Sequence, residues 1–374
     1  MNRRDFVAAV GASGASGALD LRSAGAAAEG PRKGLRRERY RGVFAYPPTP
    51  FAADLSLDEE ALRSNLRKLV RIGVDGIVLA GSTGEFYTLS DADHRRIAQI
   101  LHEETRSRDV VSVVGAQGLT PGEVIGRARA AMEIGLDAVL AMQPFYLTLT
   151  RKELVAFWKQ LSAACPDIGI IIYHYDWVRQ EYPPEIFREL SVLPNLVGSK
   201  EGHYDFTAWA RLQKESPMVH MSATDGGWLV EMYRMGAPGV GSVNLSLMPH
   251  IVHRILKLCG EGNFTEAEKN LVLFTELSGH LKSGSGRPFL YPSELKGWSE
   301  YGGTARSKAL VDAFGFLKAG PPRPPGIPVP AEMQKRVRGY LESRYPELLP
   351  PPDFADTLPP GSKLWPAAKF SSTS

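Results

Sequence analysis

The chain alternates eight times between a short apolar run and a longer stretch of helical spacing, and few folds accommodate that rhythm. The runs centre near Val43, Ile77, Val113, Leu140, Ile171, Val197, Met221 and Val240. Between them, segments such as LDEEALRSNLRKLVRIG, SDADHRRIAQILHEETRSR and TPGEVIGRARAAMEIG repeat apolar residues three and four apart. Ser, Thr or Asp opens each, as a helix N-cap requires. A strand that is apolar throughout has both faces covered, the condition of a parallel sheet. Eight strand-helix units predict an α/β chain folded as a (β/α)8 TIM barrel over residues 31–250, with catalytic groups at the C-terminal strand ends. A doubly wound open sheet is the alternative, but the first strand is not followed by a Gly-rich dinucleotide turn.

After Leu247 the pattern becomes purely helical, predicting a C-terminal helical extension over 251–345 that covers the barrel flank or mediates assembly. Within it, AGPPRPPGIPVP is an extended connector, because proline lacks the donor a helix needs. Residues 346–374 read as an irregular tail, resting on the surface through Trp365. At the other end, MNRRDFVAAVGASGASGAL pairs Arg3 and Arg4 with Phe6 and a weakly apolar run. That pattern resembles a twin-arginine export signal over 1–30, giving a periplasmic protein that starts near Glu29. Asp20 and Arg22 interrupt the run and leave a disordered tail on a cytoplasmic protein as the alternative. No segment reaches about 18 uninterrupted apolar residues, so no membrane span is expected.

Composition narrows the partners. A net charge of +3 over 374 residues, without a long Lys/Arg block, gives no electrostatic footprint for nucleic acid. The two cysteines, Cys165 and Cys259, lie far apart and form no metal or disulfide spacing, so they read as small buried side chains.

Lys200 closes the sixth apolar run, NLVGSKEGHYD, whereas the other lysines fall in amphipathic helices, in the N-terminal basic run or beyond the barrel. It is therefore the lysine expected at the barrel mouth. An ammonium losing hydration there shifts toward the free amine, which attacks a carbonyl to form a Schiff base. Reaching to solvent or pairing with Glu201 is the competing role. After the second run, Gly81, Ser82, Thr83 and Gly84 combine a tight turn with backbone donors and two hydroxyls, a cradle for the carboxylate of a 2-oxo acid. Ala80, Ser82 and Gly84 also fit a relaxed A-x-S-x-G nucleophile elbow, but the next helix begins near Ser90 and not at the serine. Tyr173 ends the fifth run, beside the strand of Lys200, where a phenol shuttles protons for a forming iminium.

Taken together, TPF at Thr49 to Phe51, GSTGE at Gly81 to Glu85, PFY at Pro144 to Tyr146, the tyrosine of YHYD and GSKE at Gly198 to Glu201 resemble the dihydrodipicolinate synthase and N-acetylneuraminate lyase family of class I aldolases. The resemblance runs from about Val43 to Leu317. It implies Lys200 as the Schiff-base nucleophile, Tyr173 as the proton-transfer phenol, and Ser82 and Thr83 as carboxylate ligands, with Ser82 also in the proton relay. It further implies that Tyr146 reaches into a neighbouring subunit of a homo-oligomer, dimer or tetramer, that Gly241 and Ser242 lie close to substrate, and that no metal or organic cofactor is used.

Departures from the family pattern bear on the substrate. Where Y-N-x-P is usual, this chain has Tyr173, His174, Tyr175 and Asp176. The carboxylate-binding arginine of the synthase branch falls on Val178, with Arg179 one residue beyond. The expectation is therefore a lyase or aldolase acting on pyruvate or a related 2-oxo sugar acid. Dihydrodipicolinate synthase proper, a sugar-acid dehydratase and an exported acid-binding barrel are the alternatives. His174, His203 and Asp225 are expected at the mouth, selecting the distal part of the substrate.

Overall fold

The computed structural model describes residues 33–175, 178–202, 206–223, 228–272 and 293–366; the expected export segment lies outside them, as do Asp176, His203 and Asp225. Eight parallel strands close a barrel in chain order: β1 (Gly42–Ala45), β2 (Gly76–Leu79), β3 (Val111–Ala116), β4 (Ala138–Ala141), β5 (Gly169–His174), β6 (Leu196–Glu201), β7 (Val219–Ser222) and β8 (Gly239–Ser242), which pairs back onto β1. The predicted (β/α)8 fold is the observed one. Strand alternation divides the apolar residues into two cores. Phe44, Val78, Val113, Leu140, Ile171 and Met221 fill the interior. Val43, Ile77, Val114, Val139, Ile170 and Val240 face outward beneath the helices.

Helices α1 (Glu59–Arg71), α2 (Asp91–Thr105), α3 (Pro121–Ile134), α4 (Arg151–Ala164), α5 (Pro184–Leu190), α6 (Phe206–Glu215), α7 (Leu229–Arg234) and α8 (Pro249–Gly260) follow the eight strands in turn. The start signals are real caps. Ser90 with Asp93, Thr120 with Glu123, and Thr150 with Glu153 each close a reciprocal capping box, an arrangement that stabilises a helix end by about 1 kcal/mol.

Beyond a helical segment at 264–272, α9 (Gly303–Phe314) is tied to the barrel through Lys308, and α10 (Ala331–Arg344) packs against α9, with the proline-rich connector between them. The stretch read as an irregular tail holds a 3-10 turn at Pro346–Leu348 and a short helix, α11 (Phe354–Thr357). It is tied down: the Leu364 amide donates to the Gly73 carbonyl at 3.0 Å, and the Trp365 ring lies 5.2 Å from that of Tyr233.

One irregularity positions the site. Between Ile170 and Ile171 the β5–β6 register shifts, because Leu196 pairs with Ile170 and Gly198 with Ile171. Leu196 belongs to the outer core and Val197 to the inner. The extra residue resets the parity of β6, so that Lys200 pairs with Tyr173 and both turn into the barrel.

Candidate active site

Lys200 is 8% exposed at the C-terminal end of β6, and its amine is flanked by two aromatic rings. The centroid of Tyr173 lies 4.4 Å from Nζ and that of Tyr46 lies 4.0 Å away. Tyr46 follows β1 directly; its alternation with Phe44 aims it inward, and its amide donates to the Ser242 carbonyl at 3.0 Å. Burial, with a smaller effect from Tyr173, pushes the Tyr46 phenol well above the ordinary tyrosine range, so it stands as a neutral hydroxyl. Gly241 completes this wall: a Cβ there would come within 2.7 Å of the Tyr46 ring and 3.4 Å of Lys200 Cε. Sequence reasoning brought Lys200, Tyr173 and Gly241 to one place and missed Tyr46. Its one signal was an aromatic residue at an inward-facing strand position.

Ser242 was expected beside Gly241 and is not brought to the amine. Alternation turns it outward, where its Oγ accepts the Leu245 amide at 3.1 Å. The same rule separates Glu201 from Lys200. The Glu201 carboxylate meets His174 Nδ1 at 2.7 Å on the outer side of the sheet, in a buried cluster with Ser199 and His220. His174, expected at the mouth, belongs to that cluster instead, with its ring 4.9 Å from Tyr182.

After β2 the chain passes through two left-handed non-glycine residues, Ala80 (φ 50°) and Glu85 (φ 57°), which bracket Gly81, Ser82, Thr83 and Gly84. Such backbone persists only where its surroundings hold it. Gly84 is required by close approach, since a Cβ would sit 2.9 Å from the Ala80 nitrogen. Thr49 Oγ1 donates to the Gly84 carbonyl at 2.7 Å. Ser82 Oγ is buried and has no hydrogen-bond partner among the described residues. With α2 capped at Ser90, this is a cradle and not a nucleophile elbow.

The cradle is held by a second lysine. Lys308 of α9, 1% exposed, donates to the fully buried Glu85 at 2.7 Å and to the Thr49 carbonyl at 2.9 Å. Burial lowers its pKa, and the Glu85 carboxylate opposes that shift. The Arg323 amide donates to the other Glu85 oxygen at 3.0 Å, and its guanidinium reaches Asp93 at 2.7 Å. Lys308 and Arg323 both lie 4.2 Å from the Phe51 ring, which gives the TPF motif a physical role. Lys200 was expected to be the one lysine facing the mouth, and in that respect the expectation is corrected: it is at the mouth but not alone there. Lys308 also borders the mouth cavity of about 620 Å³, together with Pro48, Thr83, Tyr175, Val243 and Ser246.

Tyr146, after β4, is 83% exposed, beside the exposed Leu147. Val178 packs against the interior core. Arg179 (φ 54°) lines a different cavity, with His174, Gln180 and Arg211.

A closed barrel with a buried amine between two phenols and a hydroxyl-bearing turn at its C-terminal end is the framework of a class I aldolase-type enzyme. The sequence model of the dihydrodipicolinate synthetase family matches residues 39–284, and the chain belongs to that family. It is accordingly a lyase of this type. The 4-hydroxy-tetrahydrodipicolinate synthase of Methanothrix thermoacetophila is 30% identical over 233 residues, covering 62% of this chain and 78% of that protein. The enzyme of the same name from Methanothermobacter thermautotrophicus is 32% identical over 238 residues, covering 62% and 83%. Among solved structures, dihydrodipicolinate synthase from Aquifex aeolicus superposes with a TM-score of 0.69 at 23% identity, covering 83% of this chain and 99% of that one. Ruminococcus gnavus sialic acid aldolase gives 0.71 at 19% identity, covering 83% and 100%. At these identities the two structures share the fold. No helix among the described residues is long and apolar enough to cross a membrane.

Proposed function

We propose that the protein is a Schiff-base lyase or aldolase acting on pyruvate or a related 2-oxo sugar acid, with Lys200 as nucleophile. The observation that carries this reading is the Lys200 amine, buried in the barrel and flanked by phenol rings at 4.0 and 4.4 Å. Nζ adds to C2 of the ketoacid: the N–C bond forms and the carbonyl π pair moves to oxygen. Counted from the resting ammonium, which must first lose a proton to attack, nitrogen gives up two protons in all and that oxygen gains two; the oxygen leaves as water, and an iminium remains. The iminium draws electrons from a bond to C3, so that a carbon-carbon bond breaks, or, in reverse, the enamine attacks an aldehyde. Tyr173 carries protons between the substrate and its surroundings. Ser82, with its unpartnered buried hydroxyl, Thr83 and the Gly84 turn hold the carboxylate. No metal or organic cofactor enters, because the lysine forms the electron sink.

The position of Arg179 favours a sugar acid over aspartate semialdehyde. It lines the outer cavity rather than the mouth, and the apolar Val178 stands where a second substrate carboxylate needs a cation. Dihydrodipicolinate synthesis is supported by the names of the relatives and remains the second reading. The exposed Tyr146 supports a homo-oligomer in which it reaches a neighbouring site. Residues 1–30 are proposed as a twin-arginine signal placing the enzyme in the periplasm; N-terminal sequencing of protein recovered from cells then starts near Glu29, and an intact Met1 contradicts it.

A panel of 2-oxo sugar acids, sialic acid and pyruvate with aspartate semialdehyde, assayed for turnover with Lys200→Arg as control, tests the reading. Turnover of a sugar acid that the variant lacks supports it. Turnover of aspartate semialdehyde in preference to every sugar acid contradicts the substrate class.

A further inference from the structure

Two phenols flank the Lys200 amine, and the mechanism above uses one. Tyr46 is the nearer, with its ring centroid 4.0 Å from Nζ against 4.4 Å for Tyr173. Its hydroxyl is buried and has no hydrogen-bond partner among the described residues. A buried hydroxyl left unpaired lowers stability, so an unpaired one on the ring that the reactive amine sits over points to a partner that arrives with substrate. The surroundings hold the ring in place. β1 pairs with β8 so that Phe44 lies opposite Gly241 and Ala45 opposite Ser242, and the Tyr46 amide continues that ladder to the Ser242 carbonyl. The glycine at 241 leaves the space the ring occupies, since a Cβ there would stand 2.7 Å from Tyr46 Cε2.

We propose that Tyr46 is a second catalytic phenol, which hydrogen-bonds the oxygen on C2 of the 2-oxo acid at Lys200 and donates the proton with which that oxygen departs as water. The assignment rests on the Schiff-base reading above. In the step, an alkylammonium and a ketone become an iminium and water. Nitrogen gives up two protons and oxygen gains both. Tyr46 passes its proton to the departing oxygen and regains one released from nitrogen, so the phenol is unchanged after each turnover. A neutral phenol suits the task, because it must hold its proton until the oxygen becomes basic. Tyr173, on β5, is left to serve the carbon that is made or broken.

Tyr46→Phe keeps the ring against Gly241 and removes the hydroxyl alone. The test mixes wild type and variant with pyruvate, quenches with borohydride at increasing times, and follows the adduct on Lys200 by intact mass and peptide mapping, with melting temperatures measured in parallel. The expected result is an adduct that forms about 10- to 100-fold more slowly in the variant, half-saturating at a similar pyruvate concentration, with a melting temperature equal to or above that of wild type. Equal rates in the two proteins overturn the role of Tyr46 and leave the Schiff-base reading standing. A slow variant with a lowered melting temperature assigns the loss to packing and also overturns it. A wild type that forms no adduct at Lys200 removes the Schiff-base reading and this assignment with it.

Discussion

Replacing Lys308 with Met should damage both the fold and the carboxylate cradle. The side chain is 1% exposed, its partner Glu85 is fully buried, and their atoms meet at 2.7 Å. Methionine keeps most of the volume but leaves a carboxylate without its countercharge, which costs about 3–5 kcal/mol for a buried pair. The Arg323 amide still donates to Glu85 at 3.0 Å, so the lower end of that range, roughly 3 kcal/mol, is expected. Urea denaturation followed by fluorescence reads the loss as a lowered midpoint at unchanged slope. Glu85 also sets the left-handed end of the turn carrying Ser82 and Thr83, so the KM for the ketoacid should rise several-fold more than kcat falls. The double variant Lys308→Met/Glu85→Gln removes both charges and should recover part of the stability, giving a coupling energy above about 1 kcal/mol. A single variant that loses under about 1 kcal/mol, or a double variant whose loss equals the sum of the two, refutes the buried ion pair as the strut of the cradle.

Four further outcomes follow from the geometry. Lys200→Ala should abolish turnover while leaving the circular dichroism spectrum intact, and Tyr173→Phe should slow chemistry by about 10²-fold; near-normal kcat in either variant contradicts its role. Gly241→Ala should force the Tyr46 ring off the amine, costing about 1–3 kcal/mol by overpacking and most of the activity; a variant of normal kcat and melting temperature counts against that wall. His94 is buried with Nε2 2.6 Å from the Gly115 carbonyl, and burial holds its pKa below 6.5. As pH falls through 6.5 the unfolded chain binds the proton before the folded one, so stability declines on the acid side and is retained above it. In His94→Gln the slope of stability between about pH 7 and 5 should flatten; an unchanged slope removes His94 from the acid sensitivity.

The barrel was legible because buried parallel strands leave a plain trace: runs apolar on both faces, each followed by a capped amphipathic helix. Lys200 and Tyr173 were legible for the complementary reason, as polar groups where such runs end. Tyr46 was not, since an aromatic residue after an apolar strand looks the same whether it packs in a core or covers an amine. Lys308 was hidden by distance, its partner Glu85 lying 223 positions earlier. Apolar Ala305 and Val311, one turn to either side, were the local signal that it lies on a buried face. Ser242 and His174 were misplaced because a one-residue offset along a strand reverses the side faced, and Glu201 joins His174 on that outer side. The register shift in β6, on which the inward aim of Lys200 depends, has no signature in the sequence.

The most direct measurement of the central claim is a crystal structure of the wild-type protein soaked in pyruvate. The account predicts continuous density from Lys200 Nζ to C2 of the ligand, the carboxylate against Ser82 and Thr83, and the Tyr46 and Tyr173 oxygens turned toward the new bond. Intact ketoacid bound elsewhere, with the Lys200 amine turned out of the barrel, would contradict it.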